Sequence, residues 1–178
     1  SLFLPPKSPD VVNSKQPWDP IDRFLWPNLP YMVQFNGSEM FAPKGYMTDY
    51  LTDEAVKAIR ANRNRPFFMY FAPNAIHTPL QATREDYDAL PQIKDHRLRV
   101  YGAMVRNLDR NVGRLLTTLR EEGLDKDTLI ISYDANRGDP RGARGLRGKA
   151  RVQMQVRWLA AAGFPSRASL PAPARRAG

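Results

Sequence analysis

The sequence predicts an α/β fold, a mostly parallel sheet flanked by helices, and three observations carry that prediction. Two short apolar runs, Phe67-Phe68-Met69-Tyr70-Phe71-Ala72 and Thr128-Leu129-Ile130-Ile131-Ser132-Tyr133, have the composition of strands buried on both faces of a sheet. Amphipathic helical patterns precede the first run and separate it from the second. The resulting order of helix, strand, loop, helix, strand is that of parallel strands joined by crossover helices. The length of 178 residues, with 42% hydrophobic and 10% aromatic residues, suffices for one domain with a core.

Residues 1–46 are rich in proline and in aromatic side chains (Trp18, Phe24, Trp26, Tyr31, Phe35, Phe41, Tyr46) spread without helical or strand periodicity, and read as long packed loops. From Met47 the apolar positions Met47, Leu51, Ala55 and Ile59 fall on one helical face, which predicts a helix ending near Asn62. Prolines 66 and 73 bound the first strand. Pro73 to Thr83 reads as a loop and residues 84–90 as a short helix. From about Asp95 the positions Val100, Met104, Leu108, Val112, Leu115 and Leu119 recur at threes and fours, and Gly123 supplies a C-cap. The arginines on the opposite face of this long helix, Arg97, Arg106, Arg110, Arg114 and Arg120, read as a solvated surface.

The net charge of +9 is confined to one end of the chain. Residues 137–178 hold ten basic side chains against the single acid Asp139, so the first 136 residues are neutral, with 17 of each sign. Two regions follow: 1–136, made of the loop-rich 1–46 and an α/β core over 47–134, and a degenerate or disordered tail, 137–178, rich in Arg, Gly, Ala and Pro. A polyanion or nucleic-acid binder acting through Arg137 to Arg157 is the alternative this charge raises. The tail offers only Trp158 and Phe164 for stacking, and nucleic acid is not the expected partner. Cysteine is absent, which excludes disulfides, thiolate metal sites and a cysteine nucleophile. No stretch approaches the roughly 18 apolar residues of a membrane helix. The segment Ser1 to Pro6 lacks the pattern of an export signal and reads as the interior of a longer protein.

In parallel sheets reactive groups gather at the carboxyl ends of strands. His77 lies five residues beyond the first predicted strand, in Pro73-Asn74-Ala75-Ile76-His77-Thr78-Pro79, where an imidazole could be aimed at an anion or a leaving group; a structural or merely exposed histidine is the plainer reading. His96, beside Asp95 and Arg97, reads as an exposed residue at a helix start. Asp134 and Asn136, just past the second strand, are oxygen donors of the kind calcium or magnesium takes, although Asp-Ala-Asn-Arg-Gly-Asp-Pro is equally dense in turn formers and the pattern alone favours a turn.

These residues resemble a family. Pro66 to Gln81 resembles the sulfatase pattern in which a hydrophobic strand runs into an H-T-P loop. Tyr101-Gly102-Ala103-Met104-Val105-Arg106-Asn107-Leu108-Asp109-Arg110-Asn111-Val112-Gly113 is similar to the family helix Y-x-A-M-V-x-x-L-D-x-x-V-G, and Asp127 to Asp134 to the strand entering its S-D-N-G-G turn. Gly45 to Asp53 extends the match backwards. The resemblance implies an alkaline-phosphatase-like fold, here partial, and hydrolysis of sulfate esters or sulfated glycans by an exported parent protein. It also implies a formylglycine nucleophile made within a C/S-x-P-S/A-R motif, and a calcium ion held by two early aspartates and a later Asp-Asn pair. By position, His77 would contact the sulfate or the leaving oxygen, Asp134 and Asn136 would be the later metal pair, and Lys149, in Leu146-Arg147-Gly148-Lys149, would be the sulfate-binding lysine.

The departures are as specific. The nucleophile motif and the early aspartates are expected upstream of residue 1, in a missing N-terminal half. Ala135 separates Asp134 from Asn136, which the family places side by side. Gly163-Phe164-Pro165-Ser166-Arg167 imitates the nucleophile motif with a glycine that has no side chain to oxidise, at the wrong end of the chain. The expectation is a sulfatase-family fragment, silent alone; a pseudoenzyme that binds sulfated glycans through His77 and the loop Pro73 to Thr83 is a further reading.

Overall fold

The computed structural model describes residues 3–5 and 8–132. Six elements follow in order: β1 (Val11–Asn13), α1 (Pro20–Asn28), α2 (Met47–Ala61), β2 (Gln81–Thr83), α3 (Arg84–Asp88) and α4 (His96–Glu121).

Helix α4 organises the rest. The Asp95 side chain caps its start by accepting the Leu98 N–H at 2.7 Å. Its end is a Schellman motif: Gly123 sits at φ +69°, Leu124 N–H reaches Leu119 O at 2.8 Å and Gly123 N–H reaches Arg120 O at 3.0 Å. Val100, Ala103 and Met104 on its buried face meet Met47 of α2, Leu80 and Ala82 around β2, and Phe3, Leu4 and Val12 from the N-terminal segment. Gly102 is there for a close approach, since a Cβ at that position would stand 3.2 Å from Ile93 Cδ1 and 3.3 Å from Leu90 Cδ1.

Helix α2 ends one residue short of Asn62 and α3 covers the first part of the short helix expected at 84–90, as the periodicity indicates. The N-terminal region departs from the expectation of loops. Asp19 caps α1 by accepting the Ile21 N–H at 2.9 Å, with Pro20 at the first helical position. Val11, Val12 and Asn13 pair antiparallel with Thr83, Ala82 and Gln81.

The two apolar runs expected as sheet strands do not form strands among the described residues, where the only sheet is the antiparallel β1-β2 pair. The reason is physical: a strand exists by pairing its backbone with a neighbour, and no described residue forms a backbone hydrogen bond with residues 67–72. The extended geometry survives, because Phe67, Met69 and Phe71 are half-buried while Phe68 and Tyr70 are 91% and 84% exposed. Leu129, Ile130 and Ile131 are exposed likewise. The parallel sheet therefore gains no support from the described residues, and the division of the chain at residue 136 lies outside them.

Candidate functional site

His77 stands on a loop held from its C-terminal side. Leu80 and Ala82 are buried, Leu80 O accepts Ser14 N–H at 3.2 Å, and Tyr46 Oη donates to Gln81 O at 2.8 Å. The fully buried Gln81 side chain accepts the N–H groups of Phe3 and Leu4 at 2.9 and 3.2 Å and donates to Leu4 O at 3.3 Å. One amide thus ties the chain start to the strand that follows the loop. Within the loop, His77 N–H donates to Asn74 O at 3.3 Å, and Ile76 takes φ +63°, a left-handed conformation that a β-branched residue adopts only when its surroundings hold it there. Ala75 and Ile76 pack against the core and His77 is exposed.

The ring of His77 is oriented by its own loop. Its Nδ1 lies 2.8 Å from Thr78 O, and because a carbonyl only accepts, Nδ1 carries a proton. Nε2 is then the atom turned to an incoming group, able to accept a proton or, once protonated, to donate a hydrogen bond to an anionic oxygen.

The other residues singled out in the sequence, Asp134, Asn136 and Lys149, lie outside the described residues. Among the described residues no group of three or more His, Asp or Glu side chains is placed to hold a metal ion. His96 is exposed, as expected, but it is not idle. Its Nε2 donates to Asn13 O at 2.9 Å, its Nδ1 lies 2.9 Å from Tyr87 Oη, and Arg99 sits 4.0 Å over the Tyr87 ring. It braces β1 against α3 and α4.

The arginines of α4 are not a simple solvated face. The Asp86 carboxylate, with no exposed surface, receives Arg106, Arg110 at 2.9 and 3.3 Å, Asn107 at 3.2 Å and the Thr83 hydroxyl at 2.8 Å. Asp49 of α2 receives Asn111 at 2.7 Å and Asn107 at 3.3 Å, Arg114 pairs with Asp53, and Arg97 reaches the buried Asp22 at 3.5 Å. Burial and the carboxylates of Asp49 and Asp86 push the Tyr46 phenol well above its usual range, since its anion would meet both low polarity and like charge. A groove of about 450 Å³ between α2 and α4 is lined by Arg60, Arg110 and Arg114, all three already paired with carboxylates. It offers an anion no free cation.

Comparison with known proteins agrees with the resemblance read from the motifs. The sulfatase family model matches residues 10–155. An uncharacterised sulfatase, YdeN of Escherichia coli, is 33% identical over 109 residues, covering 57% of this chain and 19% of the relative. N-acetylgalactosamine-6-sulfatase of Mus musculus is 36% identical over 92 residues, covering 51% and 16%. The crystal structure of Ps i-CgsB in complex with k-i-k-neocarrahexaose is similar at a TM-score of 0.52 and 42% identity, over 54% of this chain and 22% of that one. The chain spans about a fifth of the length of the curated relatives it matches. Its matched residues, which take in the His77 loop and the whole of α4, place it in the sulfatase family, with that family's alkaline-phosphatase-like α/β fold.

Proposed function

We propose that this chain is a segment of a sulfuric ester hydrolase, that it supplies His77 to the sulfate-facing side of the reaction, and that it does not turn over substrate by itself. The observation that carries the reading is the orientation of His77: an exposed imidazole with Nδ1 committed to Thr78 O, leaving Nε2 as the reacting nitrogen on an otherwise anchored loop. A protonated Nε2 can donate a hydrogen bond to a sulfate oxygen, or deliver its proton to the ester oxygen as the S–O bond breaks, so that the alcohol departs neutral. Lys149 supplies a second cation for the sulfate in this reading.

The nucleophile is not provided by these 178 residues, which contain no C/S-x-P-S/A-R sequence. Calcium is the metal that family membership suggests. Asp134 and Asn136 have the right hard-oxygen chemistry, but calcium takes roughly six to eight oxygen ligands, and the described residues add no cluster of ligands. The described residues do not complete a calcium site. Sulfate release from a chromogenic aryl sulfate tests the reading: the chain alone is expected to release none. In a full-length relative carrying this segment, His77→Gln is expected to lower kcat by about two to four orders of magnitude. An unchanged kcat would remove His77 from the reaction.

A further inference from the structure

The segment Phe35-Asn36-Gly37-Ser38 turns the chain back on itself. Ser38 N–H reaches Phe35 O at 2.9 Å, and Asn36 and Gly37 take φ +48° and +78°. A bond of this kind with both central residues at positive φ defines a type I′ turn, for which Asn-Gly is the favoured pair. The turn closes the antiparallel bridge between Val33 and Phe41, whose backbone bonds are 2.8 and 2.9 Å long. Val33 packs against the core, and Phe41 meets Tyr50 of α2 edge-on with ring centroids 6.4 Å apart. Asn36 and Gly37 are thus the tip of a loop anchored at both ends.

Asn-Gly occurs once in the chain. Both residues are exposed, and a Cβ built on Gly37 would meet nothing within 4 Å. Among the described residues neither the Asn36 carboxamide nor the Gly37 N–H has a hydrogen-bond partner. Other asparagines are engaged. Asn28 and Asn62 donate to Phe24 O and Ala58 O at 2.6 and 2.7 Å, Asn13 accepts Lys15 N–H at 3.2 Å, and the buried Asn107 and Asn111 donate to Asp49. Asn64 is exposed and unpartnered among the described residues like Asn36, but Arg65 follows it.

We propose that Asn36 is a site of spontaneous covalent modification, converted by attack of the Gly37 nitrogen into aspartate and isoaspartate. Once hydroxide has taken the Gly37 amide proton, the nitrogen attacks Asn36 Cγ. The N–Cγ bond forms, the Cγ–Nδ2 bond breaks, and ammonia leaves with a proton drawn from water. Water then opens the cyclic imide at either carbonyl, giving aspartate or an isoaspartate whose main chain runs through Cβ. No electron is transferred, and water is the only co-reactant. Glycine at position 37 matters because a β-carbon on that residue would crowd its attacking nitrogen. In a type I′ turn the side chain and the next nitrogen point apart, so the attack follows opening of the tip. The side-chain bonds that oppose opening, Gln34 Nε2 to Ser38 O at 2.7 Å and Phe35 N–H to Ser38 Oγ at 3.2 Å, are exposed to water. Isoaspartate adds a main-chain carbon and a negative charge, so the turn no longer closes in register and the Val33–Phe41 bridge is lost.

The test is peptide mass spectrometry of the full chain after incubation at a series of mildly alkaline pH values, with isoaspartate counted by an isoaspartyl carboxyl methyltransferase. Conversion is expected at Asn36 at least about tenfold faster than at Asn64, a barrier difference of about 1.4 kcal/mol, and at a rate that rises in proportion to hydroxide. Gly37→Ala is expected to slow Asn36 by about tenfold or more and to leave Asn64 unchanged. Because alanine at φ +78° strains the turn, the comparison is repeated in urea, where no turn exists, and alanine slows Asn36 there as well. The isolated isoaspartate form is expected to show faster hydrogen exchange at the Val33 and Phe41 amides. An Asn36 that survives while Asn64 converts, or a rate indifferent to Gly37→Ala in urea, overturns the site. Unchanged exchange at Val33 and Phe41 overturns its effect on the loop.

Discussion

Replacing Asp86 by alanine removes the anion on which three elements converge. Its carboxylate is completely buried and accepts from Arg106 and Arg110 of α4, from Asn107, and from the Thr83 hydroxyl, while Thr83 in turn caps α3 by accepting Asp86 N–H at 3.1 Å. Breaking a buried ion pair from one side costs about 3–5 kcal/mol, because the remaining charge is stranded. Here the stranded guanidinium side chains are 42% and 37% exposed and can rehydrate, which moves the cost to the low end of that range. Asn107, by contrast, is fully enclosed and loses an acceptor, worth about 1–3 kcal/mol if nothing replaces it. The expected loss is about 3 kcal/mol, a large part of the roughly 5–15 kcal/mol that stabilises a domain. Urea unfolding followed at 222 nm measures it, and Asp86→Asn, which keeps the shape and one acceptor, should fall between wild type and alanine. A double-mutant cycle with Arg110→Ala should show coupling of about 1 kcal/mol or more. An alanine variant within about 0.5 kcal/mol of wild type would mean that the hub does not hold the helices together, and the reasoning would be wrong.

Other outcomes follow from the same packing. Tyr46 ionises in the folded chain only well above its ordinary value, so it contributes stability that is fully present below about pH 10 and is lost as pH rises through the raised value; Tyr46→Phe should flatten that alkaline decline in a pH series of urea melts. Met104→Ala, at a position with no exposed surface, should cost about 2–5 kcal/mol in the same assay. Gln81→Leu should cost about 2 kcal/mol by leaving Phe3 and Leu4 N–H groups unpaired, and should raise hydrogen exchange at residues 3 and 4. Phe68→Ser should change stability by less than about 0.5 kcal/mol, because the ring is 91% exposed; a loss of several kcal/mol would show that residues 67–72 are packed as a buried strand after all.

What was legible in the sequence was whatever depends on neighbours in the chain. Helices α2 and α4 follow from periodicity, and the end of α4 from Gly123. Strands β1 and β2 are three residues each and carry no alternation long enough to read, and α1 was hidden among prolines although Asp19-Pro20 is a helix-start signal. The runs at 67–72 and 128–132 have strand composition, yet composition states a preference for burial and cannot supply the partner that pairing needs. At the site, the H-T-P motif pointed to His77, but which nitrogen faces outward is set by the neighbouring carbonyl of Thr78. The hub was invisible because Asp86 and its α4 partners are brought together only by the packing of α3 on α4; Thr83-x-x-Asp86, a capping pattern, was the one local clue.

The most direct test of the central claim is the His77 ring itself, observed by nitrogen NMR of the uniformly labelled chain as an aryl sulfate ester is added. The account predicts a proton on Nδ1 in the free chain, a saturable shift at Nε2 on addition of the ester, and no sulfate released. An imidazole that does not respond to the ester, or sulfate release by the chain alone, would contradict it.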